Sequence, residues 1–198
     1  MKNKLFVLLL SFLVLVAYDI GQPHAQTTNQ LIRAGMDFFG TFDSFRDEKS
    51  SSDVDLAFNF GGELCKTLKK LDLGLGIEYQ FNRSTQDLSH NHTFSFIPFY
   101  GLIRFIPLEP SAQNLAPYVL CRAGFGVYRG NNPYWQLSDL YLRGGLYYGA
   151  GVGVILRNKY HLECLYSVNN GSAEWDEFDR NITYSRISLS VGMRVKEL

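Results

Sequence analysis

His161, Glu163 and Ser167 fall on alternate residues of one stretch, and a base, an acid and a hydroxyl are the parts of a hydrolytic site. Such parts work only within hydrogen-bond reach of one another. In an extended chain His161 and Ser167 stand six residues apart, roughly 20 Å at strand rise. The trio is therefore expected to be structural, and no catalytic residue is assigned. His90 and His92 are metal-ligand types, but beyond Asp87 no acid or cysteine of matching spacing accompanies them. A solvated loop is expected there, and no metal or cofactor is assigned. The stretch Ser172–Asp179 mixes acids with large aromatics, a composition that suits contact with a partner. Trp175, Asp176 and Phe178 are its expected contact residues. Asn82, Asn91, Asn170 and Asn181 each open an Asn-x-Ser/Thr triplet, which in a eukaryotic secreted chain would accept a glycan.

The remaining chemistry-bearing residues are isolated charges set among apolar ones: Glu63, Glu78, Arg122, Arg143, Glu163, Arg186 and Arg194. Their natural chemistry is mutual ion pairing, because buried charges persist when paired and hydrogen-bonded. The elements that carry them are strands. Leu71, Leu73, Leu75, Ile77, Tyr79 and Phe81 alternate without a break with Asp72, Gly74, Gly76, Glu78, Gln80 and Asn82, the period-two signature of a two-faced strand. Seven further segments read as strands: 32–42, 54–65, 93–105, 116–128, 141–156, 160–168 and 183–195. The segment 93–105 is apolar on both faces.

Connections after the first, third, fifth and seventh strands are long and polar, over 44–53, 83–92, 129–140 and 169–182. Those after the second and sixth are tight, at 67–70 and 157–159, and 107–115 is intermediate. Long loops at one end and short turns at the other are the habit of outer-membrane barrels. The chain opens with Lys2 and Lys4, an apolar run Leu5–Ala17 and a polar exit ending Ala25-Gln26, which describes a signal peptide over 1–25. The run is short for a membrane helix, which needs about 20 apolar residues. The rest, 26–198, suits one domain. With 19 basic and 19 acidic residues overall the charge is balanced, which argues against a nucleic-acid binder. Three cysteines, Cys65, Cys121 and Cys164, do not form a disulfide framework.

Alternation alone does not say which face points inward. The glycines Gly74, Gly76, Gly124, Gly126, Gly149, Gly151 and Gly153 share the face of the charges. An eight-stranded barrel has an interior just wide enough for side chains, so charges inside it need small neighbours. The polar face is therefore expected inside and the apolar face in lipid. Phe38, Tyr79, Phe81, Tyr100, Tyr148, Tyr160, Tyr166 and Tyr184 lie near strand ends, where membrane barrels carry aromatic girdles.

The leader, the Leu71–Asn82 strand, the hairpin from Tyr147-Tyr148-Gly149-Ala150-Gly151-Val152-Gly153-Val154 through Arg157-Asn158-Lys159 to Leu162, and the closing strand Ser188–Val195 together resemble the small outer-membrane β-barrel family. This is the group of the OmpA transmembrane domain and OmpX, in its Bacteroidetes-type form. The resemblance spans the whole mature chain. It implies an all-β fold, an eight-stranded antiparallel up-and-down transmembrane barrel after a cleaved signal peptide, in the bacterial outer membrane with periplasmic termini. It further implies membrane lipid and lipopolysaccharide as surroundings, the barrel assembly machinery as a partner in biogenesis, and an envelope or extracellular partner at the outer loops. The closing strand ends in Leu198 where the family's assembly signal has an aromatic. The function expected is structural or interactive, with a plugged polar lumen. The rivals are a secreted lipocalin-like carrier of an apolar ligand and an outer-membrane enzyme acting on lipid.

Overall fold

A computed structural model describes residues 28–45, 49–68, 70–85, 93–107, 115–131, 141–175 and 178–197. The expected leader, His90, His92 and Asp176 lie outside these residues. The described chain forms ten strands: β1 (Thr28–Phe45), β2 (Lys49–Val54), β3 (Ala57–Leu68), β4 (Leu71–Gln80), β5 (Arg83–Ser84), β6 (Thr93–Phe105), β7 (Leu115–Asn131), β8 (Tyr141–Leu156), β9 (Tyr160–Trp175) and β10 (Phe178–Glu197). All neighbours are antiparallel, and β10 pairs with β1 from Asn29↔Glu197 to Phe45↔Asn181, which closes the sheet into a barrel. β2 and β3 are one wall strand interrupted at Asp55–Leu56, and β4 and β5 are another interrupted at Phe81–Asn82. The wall therefore has eight strands, and the β10–β1 pairing removes the two free edges that an open sheet would present to lipid.

The tight turn between β8 and β9 places Arg157 and Asn158 at φ 50° and 54°, with the Lys159 amide donating to the Leu156 carbonyl at 3.0 Å. Two positive φ values in the centre define the type I′ turn, whose twist matches that of the strands it joins. Two stretches expected as polar loops are paired strand instead. β1 and β2 form a ladder from Gly40↔Val54 to Phe45↔Lys49. β9 and β10 continue their ladder up to Phe178↔Trp175, so 169–175 and 178–182 are wall rather than loop. Backbone groups pair wherever a partner strand is in register, and here register carried on past the end of the apolar pattern.

The barrel is inside out. Leu75 is 70% exposed, and Leu64, Val119, Phe125, Leu146, Val152, Leu189 and Val191 share its outer face. Arg104, Arg122 and Arg186 are 1%, 2% and 0% exposed in the interior.

The candidate functional site: a layered lumen

The interior side chains form three layers along the axis. The middle layer is ionic. Glu63, on β3, accepts from Arg104 Nη2 at 3.0 Å, from Arg122 Nη2 at 2.7 Å and from the Tyr100 hydroxyl at 3.1 Å. Arg33 Nε lies 3.3 Å from the same carboxylate. Arg122 also donates to Glu163 at 2.6 Å, and Arg104 to Asp72 at 3.0 Å. Glu78 bridges Arg33 and Arg186. Asp37 takes Arg83, Arg186 Nε at 3.1 Å, the Ser188 hydroxyl at 2.6 Å and the Asn59 amide at 2.6 Å. Among the described residues, the arginines Arg33, Arg83, Arg104, Arg122 and Arg186 thus face an equal number of carboxylates, Asp37, Glu63, Asp72, Glu78 and Glu163. Such density of paired charge away from water is tolerated only when almost every ion has several partners.

An aromatic layer covers this network at the long-connection end: Phe42, Val54, Phe94, Phe96, Tyr128, Ile182 and Tyr184, all buried. Phe42 and Phe94 have ring centres 4.6 Å apart, Phe96 and Tyr128 4.9 Å, and Phe94 and Tyr184 5.1 Å. The Arg83 guanidinium lies 5.2 Å from the centre of the Tyr184 ring and that of Arg186 5.7 Å, so cation–π contacts join the two layers. At the short-turn end Ile106, Ala116, Tyr118, Leu120, Ile155 and Leu165 form an apolar lining.

Of the charges read from the sequence, Glu63, Glu78, Arg122, Glu163 and Arg186 are buried in the lumen and joined in the network. Arg143 is not among them; it is exposed. The cause is a register shift between Gly144 and Tyr147 in the β8–β9 ladder, an extra residue that reverses the inward–outward phase of everything beyond it. Arg194 is half-buried at the short-turn rim, where its Nη1 donates to Asn158 Oδ1 at 2.9 Å; it lies at the end of the wall, beyond the middle layer. Trp175 and Phe178 stand opposite each other at the tip of the β9–β10 ladder.

Arg33, Asp37, Asp72, Arg83 and Arg104 were missed as members. The inward alternation of β1 and β4 was a signal for Arg33, Asp37 and Asp72. Arg83 reaches the lumen because the break at Phe81–Asn82 shifts the phase, burying both Gln80 and Arg83. The same kind of event builds the aromatic layer. A shift between Phe38 and Thr41, with Phe39 at φ 49° and 84% exposed, turns Phe42 inward. The break at Asp55–Leu56 turns Val54 inward as well. Tyr100 and Tyr184, expected in a girdle, are interior residues; Tyr79, Phe81, Tyr148, Tyr160 and Tyr166 are exposed on the outer face.

The glycines make room for tyrosines and for strand contact more than for arginines. A Cβ on Gly76 would sit 2.5 Å from the Tyr100 ring, and one on Gly153 2.4 Å from the Tyr118 ring. His161, Glu163 and Ser167 all point inward but are not assembled. The His161 ring lies 5.9 Å from that of Tyr118, Glu163 is held by Arg122 and by the Tyr118 hydroxyl at 3.4 Å, and Ser167 is paired across the ladders with Gly149 and Arg186.

No protein-family model matches this sequence, and no curated relative does. Solved structures do. The outer membrane protein OprG from Pseudomonas aeruginosa superposes with a TM-score of 0.52 at 11% identity, covering 86% of this chain and 97% of OprG. Neisserial surface protein A gives 0.51 at 12% identity, over 84% of this chain and 97% of its own. The attachment invasion locus protein Ail of Yersinia pestis, solved with the heparin analogue sucrose octasulfate, gives 0.49 at 15% identity over 85% and 99%. This chain has the fold of the small outer-membrane β-barrels: a closed, antiparallel, eight-stranded wall, apolar outside and ionic within.

Proposed function

We propose that the chain is an integral outer-membrane protein whose lumen is closed to solutes by its own side chains, and which acts through the connections and strand tips at its long-connection end. One observation carries this reading: large aliphatic and aromatic side chains cover the outer wall while the arginines and carboxylates are buried and mutually paired inside. Water offers no driving force for that distribution, since apolar surface leaves water at about 25 cal/mol per Å². Lipid does, and a closed barrel is one of the two structures that satisfy every backbone group there. In a lipocalin-like carrier the apolar face would line the cavity; here it faces out. The distance along β9 between His161 and Ser167 gives no support to hydrolytic chemistry in the lumen.

In this reading the termini lie in the periplasm and the strand tips around Trp175 and Phe178 meet an envelope or extracellular partner. Lipopolysaccharide surrounds the outer half, and the barrel assembly machinery inserts the chain. The test is twofold. The protein should fractionate with outer membranes and migrate differently on a gel before and after boiling; a chain that stays soluble without detergent refutes the membrane reading. In planar bilayers it should show no steady conductance, and a stable open current refutes the closed lumen.

A further inference from the structure

The outward charges are arranged unevenly along the barrel axis. Both tight turns at the short-turn end are basic: Lys70 follows β3, and Arg157 and Lys159 lie between β8 and β9, all exposed. The acids nearest them along their own strands, Asp72 after Lys70 and Glu163 after Lys159, are turned into the lumen and engaged there. At the opposite end the exposed charges are mixed, Asp53 and Asp55 together with Arg129 and Arg143.

These cations are held at a fixed depth. Lys70 directly precedes Leu71, and Lys159 directly precedes Tyr160, both exposed apolar residues at the edge of the outer belt. The turns are too short to carry their side chains far from that edge. Each is tied to its neighbours: the Ile106 amide donates to the Lys70 carbonyl at 2.8 Å, and the Arg194 amide donates to the Lys159 carbonyl at 2.8 Å. The Lys159 ammonium lies 5.7 Å from the centre of the Tyr160 ring, a contact that keeps the charge beside the belt. In a bilayer the level just past the apolar belt is that of the phosphate headgroups. A cation pinned there attracts anionic lipid with about 1 kcal/mol each.

We infer that Lys70, at the β3–β4 turn, and Arg157 with Lys159, at the β8–β9 turn on the opposite side of the barrel, form two headgroup-binding positions selective for anionic glycerophospholipid in the leaflet at the short-turn end. This rests on the membrane reading above. The two positions would hold the barrel's vertical position and gather negative lipid around its base.

The experiment uses the full mature chain reconstituted in vesicles of equal parts phosphatidylcholine and phosphatidylglycerol, followed by native mass spectrometry of the lipids that remain bound. Wild type should retain phosphatidylglycerol in excess of the bulk ratio. The variant Lys70→Gln/Arg157→Gln/Lys159→Gln should lose that excess, each of the two positions weakening by about fivefold for every cation it loses at low salt. Added salt should weaken the wild-type preference. The pair Arg129→Gln/Arg143→Gln, exposed cations at the other end, should leave it intact. Boiling-dependent migration must be the same in all three, which separates loss of binding from loss of fold. Equal phosphatidylglycerol retention by wild type and the triple variant overturns the inference, as does an equal loss in the control pair. Wild type that does not insert into the vesicles at all overturns the membrane reading itself.

Discussion

Glu63→Gln removes the carboxylate that, among the described residues, meets Arg33, Arg104 and Arg122 together, at 3.3, 3.0 and 2.7 Å. Glutamine keeps the shape and one acceptor oxygen but leaves the buried network one positive charge in excess. Removing one member of a buried pair typically costs about 3–5 kcal/mol, because the remaining charge stays desolvated. With a urea slope of about 1–3 kcal/mol per M, the unfolding midpoint in detergent should fall by at least about 1 M. Intact fold is read from boiling-dependent migration across a urea series. Glu163→Gln should cost less, since Arg122 then keeps its 2.7 Å contact with Glu63. The double variant Glu63→Gln/Arg122→Met returns the network to charge balance, and the cycle should show a favourable coupling of about 1–3 kcal/mol. A single variant within about 0.5 kcal/mol of wild type, the range of ordinary surface changes, would refute the reasoning: the interior would then be wet enough to screen its own charges.

Two further substitutions probe the packing of the middle layer and the aromatic layer beside it. Gly76→Val drives a branched side chain into the Tyr100 ring, against which even a Cβ stands at 2.5 Å; overpacking should destabilise by about 1–3 kcal/mol or more, visible as a lower urea midpoint, while Gly62→Ala, whose Cβ meets nothing closer than 3.8 Å, should be mild. Phe96→Ala empties the middle of the aromatic layer, where Phe96 packs at 4.9 Å on Tyr128 and 6.2 Å on Tyr184. It should lower stability by about 3 kcal/mol or more, measured in the same urea series.

The architecture was legible because lipid imposes it on the sequence. Leu71–Gln80 alternates without a break, and the bounds read for 93–105 and 141–156 coincide with β6 and β8. Half of the middle layer's charges, Glu63, Glu78, Arg122, Glu163 and Arg186, were legible for a related reason: a lone Glu or Arg on the polar face of such a strand turns inward, whereas Arg104 was hidden in a segment apolar on both faces. Period-two reasoning failed where the backbone leaves period two. Near the long-connection end, irregularities at Phe39, Asp55–Leu56, Phe81–Asn82 and between Gly144 and Tyr147 each change the phase. They send Phe42, Val54 and Arg83 inward and Arg143 outward. None of these carries a mark as plain as an Asn-Gly turn, so the aromatic layer was out of reach of pattern alone. The β9–β10 extension was hidden for a different reason. Asn169, Asn170, Gly171 and Ser172, with Asn181 paired to Ser172, carry no apolar alternation, and polar strands read as loops.

Two native cysteines report on which solvent the outer wall meets. Cys121 and Cys164 are exposed on that wall, across from Ala150 and Val152 of β8, whereas Cys65 is buried in the lumen. The decisive measurement is thiol labelling of the folded chain in phospholipid vesicles, with a charged, membrane-impermeant maleimide and with an apolar one, and the urea-unfolded chain as the full-labelling reference. The lipid-facing wall predicts that Cys121 and Cys164 take the apolar reagent and are shielded from the charged one. Rapid labelling of both by the charged reagent in the folded protein would place that wall in water and contradict the account.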